Sequence, residues 1–293
     1  YANETDADAN TTGNAFLNVP EIYPMLGTEN VASTIPNTPA GNIAATTVQS
    51  AIDEIDSERA MTYGTVALMK AASTPDGQLV HTKGYYTAGD GGGATYLIKT
   101  AAAFGGTPDG YGDHVLANGN VAVLQHPVVA ELNVLQYGAV GDGVTDDSPM
   151  FAAAIAKAAI GETIFCPTTS VYYLVGDVEL KSRVNLRGNS SVRVYNPYTS
   201  PAADMTGTGA IIFNTAKTNP FSFAGKNRVS NINFHGVNKL KDGVSNTGSV
   251  DGLQFDRVSM TNYKFGFGTT NAINNSRFFN CHAAQNGTGF KGL

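Results

Sequence analysis

Three aspartates crowd the stretch YGAVGDGVTDDSPMFAAAIAKA at Tyr137–Ala158: Asp142, Asp146 and Asp147. Carboxylates this close could share a divalent cation or act as an acid–base pair. A calcium loop of the EF-hand kind sets its ligands in a fixed order, and that order is absent. The neighbours point to turn and capping chemistry instead. Gly138, Gly141 and Gly143 supply turns. Ser148 is an N-cap by type, and Pro149 suits a first helical position, where its missing N–H is no loss. Asp146 and Asp147 then precede the positive end of that helix. No metal site is expected from these residues, and no cofactor motif accompanies them. GDGGGA at Gly89–Ala94 lacks the Lys-Ser/Thr ending and the following helix of a phosphate loop, so it reads as a turn.

A second possible chemistry lies in SVDGLQFDRVSM at Ser249–Met260. Alternation turns Leu253 and Phe255 inward and leaves Gln254 and Asp256 facing solvent, with Asp251 just before the strand. Glycoside cleavage needs two carboxylates about 5–5.5 Å apart for retention, or about 6.5–9.5 Å for inversion. Asp251 and Asp256, with Tyr263 nearby, are the one candidate catalytic constellation of that kind. Aspartates at bends commonly cap turns, and that is the role expected of this pair. Asp177, Glu179, Asp204 and Asp242 form no recognisable pair. The five histidines show no metal or triad spacing, and His235 and His282 are expected at bends or on the surface. Cys166 and Cys281 lie far apart and read as two buried thiols.

The 293-residue chain carries a net charge of -6 with no basic run. A nucleic-acid partner needs a basic stripe to neutralise phosphates, so that class is set aside. No apolar run approaches the roughly 20 residues that span a bilayer, and membrane insertion is not expected. Only 14% of residues are charged, against a typical share of about 25%. The polar surface must then be Asn, Thr, Ser and Gly, which suits a stacked β architecture.

The elements follow from local pattern. Residues 1–60 read as an extended arm and a short helix. Pro36 and Pro39 exclude helix and central strand from STIPNTPAGN. In TTVQSAIDEIDSERA, Val48, Ile52 and Ile55 recur at spacings of four and three, a narrow apolar seam behind a threonine cap. A helix this short needs a partner: copies of itself in an oligomer, or its own domain. Residues 61–127 read as a small antiparallel β domain, with strands at Leu79–Thr82, Tyr85–Thr87 and Ala94–Lys99. HVLANGNVAVLQHP is a hairpin turning at Asn118-Gly119. Val134–Tyr137 reads as a strand before the helix.

Past Val171, short apolar alternations recur between Asn and Gly. Aligning Phe255–Val258 with Ser276–Phe279 gives an offset of 279 − 258 = 21, which pairs Met260 with Cys281 and Gly266 with Gly287. Such a period signals stacked coils, with Asn262 and Asn286 at bends. Residues 128–293 thus read as a helix followed by the first coils of a parallel β-helix. The chain stops at GTGFKGL without a capping element, which predicts further coils beyond it.

YGAVGDGVTDDSPMFAAAIAKA resembles the opening motif of the pectate-lyase-like right-handed β-helix proteins, bacteriophage tailspikes especially. In that family the helix plugs the open end of the β-helix and the motif is structural. VELKSRVNLRGNSSVRV is similar to early coils of the family. GQLVHTKGYYTAGDGGGATYLI with GYGDHVLANGNVAVLQ resembles the virion-proximal domain that precedes them. GNIAATTVQSAIDEID is similar to oligomerising segments of tail fibres. The resemblance implies a mainly β, homotrimeric virion protein whose first 127 residues hold a tail or baseplate protein, or another tailspike. Its β-helix would recognise, and in the complete protein degrade, host surface polysaccharide, with no cofactor. Two alternatives stay open: a secreted pectate-lyase-like polysaccharide lyase, and a non-catalytic glycan-binding adhesin.

Overall fold

The computed structural model describes residues 35–39, 44–58, 61–126, 131–189, 207–237, 239–244, 250–268, 273–284 and 286–290. The chain divides into two compact units, Tyr1–Ala60 and Met61–Leu293.

In the first unit, α1 (Val48–Glu58) starts at Thr47, whose hydroxyl accepts the Ser50 N–H at 3.2 Å. An isolated antiparallel bridge ties Pro36 to Thr47. Of the expected seam, Val48 is half-buried and Ile52 is 46% exposed. The Ile55 side chain and residues 1–34 lie outside the described residues.

The second unit opens with a five-stranded sheet. In chain order its elements are β1 (Met61–Tyr63), the helix α2 (Val66–Lys70), β2 (Leu79–Thr82), β3 (Thr95–Lys99), the helical turn α3 (Ala101–Phe104), β4 (His114–Val115) and β5 (Val121–Leu124). The strand order is β1-β2-β3-β5-β4. It is not wholly antiparallel: β1 runs parallel to β2 because α2 and the loop after it carry the chain back between them. The hairpin forms as expected, with Gly119 at φ +83° and His114 opposite Ala122. Tyr85–Thr87, in contrast, is not a strand. The Asp90 carboxylate accepts the N–H groups of Tyr85, Tyr86, Thr87 and Gly92 at 2.8–3.0 Å, which folds that backbone into a loop.

The chain then enters β6 (Glu131–Asn133). Val134–Tyr137 is a 3-10 turn rather than a strand. The Asn133 side chain caps the Leu135 N–H at 3.0 Å, and Gly138 ends the turn at φ +88°. A short buried apolar run does not separate the two states by pattern alone.

After α4 (Ser148–Lys157) the fold becomes a stack of parallel strands. One face is built from β6, β7 (Thr163–Cys166), β10 (Asn185–Gly188), β13 (Arg228–His235), β15 (Gln254–Thr261) and β18 (Arg277–Phe279), each parallel to the next. A second face runs through β8 (Tyr173–Val175), β11 (Ile211–Phe213), the latter halves of β13 and β15, and β19 (His282–Ala284). Short parallel pairs complete the coils: β9 (Glu179–Leu180) with β12 (Ser222–Phe223), β14 (Val250–Asp251) with β17 (Ile273–Asn274), and β16 (Phe265–Phe267) with β20 (Thr288–Phe290).

The interior follows from register. Leu132, Ile164, Leu186, Val229, Phe255 and Phe278 form one inward column, each beside its successor. Aromatic rings weld neighbouring coils: Phe223 meets Phe255 edge-on at 5.3 Å, and Phe255 stacks on Phe278 at 5.3 Å. Asn231, Arg257 and Asn280 take positive φ and bend the strands between the two faces.

The register corrects the expected offset. Phe255 lies beside Phe278 and Met260 beside Ala283, not Ser276 and Cys281. The coil is two residues longer: Tyr263 and Asn286 are 23 apart, and the Asn286 carboxamide joins the coils by accepting the Tyr263 N–H at 2.8 Å and donating to Met260 O at 2.9 Å. Asn262 does take the left-handed bend, at φ +60°, whereas Asn286 does not. Cys166 is buried but Cys281, between β18 and β19, is only half-buried against the core. His235 is buried too, its Nδ1 2.8 Å from Thr261 Oγ1, and burial lowers its pKa to about 4.

Candidate functional site

The three aspartates of the opening loop do three different jobs. Asp142 closes a turn, accepting the N–H groups of Val144 and Thr145 and the Thr145 hydroxyl at 2.7–2.9 Å. Asp146 accepts the N–H of Ser148 at 3.1 Å, together with its hydroxyl, and pairs with Lys217 at 2.8 Å. Burial works to raise its pKa, but the Lys217 ammonium and the Ser148 donors hold it down to about 2. Ser148 is therefore not the N-cap; it is the first residue of α4, and Asp146 takes its N–H. Asp147 sits at the N-cap position and makes no capping bond.

Asp147 is wholly buried and faces the interior. Its carboxylate accepts the Val140 N–H at 2.7 Å and the Gly141 and Leu174 N–H groups at 3.3 Å or more. Burial dominates, and its pKa rises to about 6. Gly138 and Gly141 belong to the same knot. Both have positive φ, and a Cβ on Gly138 would lie 2.6 Å from the Tyr85 ring, one on Gly141 2.5 Å from the Thr169 side chain. Gly143 donates to Tyr172 O at 3.0 Å. Among the described residues, no group of three or more His, Cys, Asp or Glu is placed to hold a metal ion.

α4 hangs from this knot. Phe151 is buried edge-on against Tyr173 at 5.3 Å, and Ala154 and Ile155 are buried beside it. Its C-terminal carbonyls meet a cation: Lys181 Nζ lies 2.6 Å from Ala156 O and 3.3 Å from Ala158 O, the charge a helix C-terminus favours.

Asp251 and Asp256 are not joined. Gly252, at φ +67°, turns the chain between them, so Asp251 lies on β14 and Asp256 on β15, in different sheets. Asp251 accepts from Asn275 Nδ2 at 2.8 Å, and Asp256 pairs with Arg257 at 3.0 Å. Tyr263 is 1% exposed and belongs to the core, so it is not available beside a surface groove. Asp177, another coil carboxylate, accepts the Thr218 and Asn219 N–H groups at 3.0 and 2.8 Å.

The surface with chemical reach is the outward side of the first face, which the pattern around Asp256 alone could not reveal. By register, one outward row runs Phe165, Arg187, Ser230, Asp256 and Phe279. The next contains Arg228, Gln254 and Arg277. Arg187 lies 4.3 Å over the Phe165 ring and grips Glu131 with two 2.6 Å bonds. Phe279 is 55% exposed. Stacked hydrogen-bonding groups beside the exposed Phe279 ring suit a long, hydroxyl-rich ligand lying along the coils.

Such coils define the class: a parallel β-helix protein. The chain belongs to the rhamnogalacturonase A/epimerase, pectate lyase-like family, whose model matches residues 132–291. No curated protein sequence matches it. Among solved structures it is similar to the tailspike protein gp49 of Acinetobacter baumannii bacteriophage Fri1, described as a capsular polysaccharide depolymerase, with a TM-score of 0.50 and 16% identity over 76% of this chain. It is also similar to the tailspike of Acinetobacter phage vB_ApiP_P1, with a TM-score of 0.50 and 17% identity over 78% of this chain. The chain spans less than half the length of either, 46% and 40%.

Proposed function

We propose that this chain is part of a homotrimeric phage tailspike. Residues 1–127 would attach it to the tail or baseplate, or to another tailspike, and the β-helix would recognise host surface polysaccharide, with α4 as the plug of its first coil. The observation that carries the reading is the in-register outer face of the coils, where polar, charged and aromatic side chains repeat from strand to strand. Two solved tailspikes share the fold, which supports it. The complete protein would depolymerise the glycan with carboxylates other than Asp251 and Asp256, whose partners are an amide and an arginine. A glycan-binding adhesin remains the second reading, favoured by the same engagement of those two carboxylates.

The test is a reducing-end assay of the complete protein on purified capsular polysaccharides, with wild type beside Asp251→Asn/Asp256→Asn. Cleavage within a few-fold of wild type is expected for the variant. A loss of about 10²-fold, the usual weight of a general acid or base, would return catalysis to this pair. Binding without cleavage by wild type would favour the adhesin, and neither binding nor cleavage would overturn the glycan reading.

A further inference from the structure

An open cleft of about 310 Å³ lies where strands of the first face begin, at one edge of that face, and its charge is unlike that of the chain as a whole. Arg183, Lys226 and Arg228 line it with Gln254 and Ile160, and no Asp or Glu does, in a chain of net charge -6. Four other coil cations are engaged, Arg187 with Glu131, Lys217 with Asp146, Arg257 with Asp256 and Lys181 with helix carbonyls, whereas Lys239, Lys241 and Arg277 lie outside this cleft. Among the described residues, no ion pair or side-chain hydrogen bond is found for Arg183 or Lys226. Arg228 has only a long bond to Gln254 Oε1, 3.4 Å. Three exposed cations therefore converge on one cleft without a counter-charge lining it.

Their backbone placement is a second, independent observation. Arg183 and Lys226 have φ of +65° and +56°, a region that favours Gly and Asn. At the equivalent bends of adjoining coils the chain has Gly161 (φ +94°), Gly252 (φ +67°) and Asn275 (φ +48°). The bends are stacked by hydrogen bonds from Gly161 N to Arg183 O (2.9 Å), Arg183 N to Gly225 O (3.3 Å), Lys226 N to Asp251 O (2.6 Å) and Gly252 N to Asn274 O (3.0 Å). Long cationic side chains thus occupy the two bends where a small residue would be easier to accommodate. Neighbouring parallel strands lie about 4.8 Å apart, so the cations are held in a short ladder along the coil axis. Glycine on either side leaves that ladder uncovered. The Lys226 stem leans over Gly252, where an added Cβ would lie 3.3 Å from Lys226 Cγ.

We propose that Arg183, Lys226 and Arg228 form a subsite for the carboxylates of an acidic polysaccharide. This rests on the reading of the coil face as a glycan surface and names the class of glycan. A guanidinium matches a carboxylate with two parallel bonds, and an ammonium adds a point charge. Ile160, 72% exposed at the rim, offers an apolar surface to a sugar ring. The cleft is open, so salt screens its charges and binding weakens with ionic strength.

The test measures binding of the full chain to a panel of purified bacterial polysaccharides rich in uronic acids, each beside its carboxyl-reduced, neutral counterpart. Arg183→Asn/Lys226→Asn/Arg228→Gln and Arg228→Gln alone are measured with wild type. Asparagine suits the left-handed bends, so the triple variant should melt at or above the wild-type temperature. Expected are at least about tenfold tighter binding of the acidic form than of its neutral counterpart, weakening between about 50 and 300 mM salt, and a loss of at least about tenfold in the triple variant. Equal affinity for acidic and neutral forms, or unchanged binding by a folded triple variant, would overturn the subsite and leave glycan binding standing. Binding of no glycan by wild type would remove both readings.

Discussion

Asp147 holds the loop ahead of α4 from inside the protein, and its titration should be visible in stability. An unfolded aspartate titrates near 3.9, and burial lifts the folded value to about 6. A group whose pKa rises on folding stabilises the fold in its protonated form, so this contribution is complete below about 4 and is lost as pH rises through about 6. Asp146 has the opposite sign: its contribution is complete above about 4 and falls away toward about 2. Between pH 4 and pH 7, wild type should lose about 2 kcal/mol relative to Asp147→Asn, read as several degrees in Tm. Parallel melting curves for the two proteins across that range would contradict this. The division of labour among the aspartates was half legible. Asp142, and Asp146 through Ser148, serve neighbours two or three residues away, which spacing reveals, whereas the Asp146 ion pair with Lys217 is not local. Asp147 is turned inward partly by Leu174, 27 residues later, which no local pattern records.

At the level of strands and coils, alternation gave faces but not register. Leu253 and Phe255 are buried and Gln254 is exposed, as the pattern of apolar residues required. The period was read two residues short, and an error of two leaves every side chain on its proper face, so alternation could not expose it. What sets the longer coil is packing: Phe255 stacks on Phe278, and Asn286 bridges to Met260 and Tyr263. Phe255 touches the rings of Phe223, Phe267 and Phe278. Phe255→Ala should therefore cost about 3–5 kcal/mol, the usual range for a buried phenylalanine, with Asp256→Ala next to it close to neutral. Urea unfolding of both variants measures this, and a loss below about 1 kcal/mol for Phe255→Ala would mean the coils do not depend on the aromatic column.

For the molecule as a whole, the open matter is assembly. α1 presents Ile52 to solvent at 46% exposure, beside half-buried Val48, and a thin apolar seam on a short helix gains stability chiefly from a partner. The proposed trimer predicts three times the chain mass by light scattering at micromolar concentration. Val48→Asp/Ile52→Asp should weaken that association without lowering the melting temperature of the coils. A monomeric mass for wild type would sink the trimer.

Sequence by itself determined the mainly β class, the short helices at Val48 and Ser148, the Asn118-Gly119 hairpin and the inward or outward sense of the coil strands. Each of these depends on a side-chain period or on the backbone preference of a few adjacent residues. Tertiary structure decided the rest: the parallel partner of β1, the register of the coils and the inward turn of Asp147. It also decided the meeting of Arg183 with Lys226 and Arg228, since Asn227 bonds to Val184 43 residues earlier to join their coils. Stacking brings together residues separated by whole coils, and coil length is set by how side chains pack between layers rather than by any repeat written along the chain.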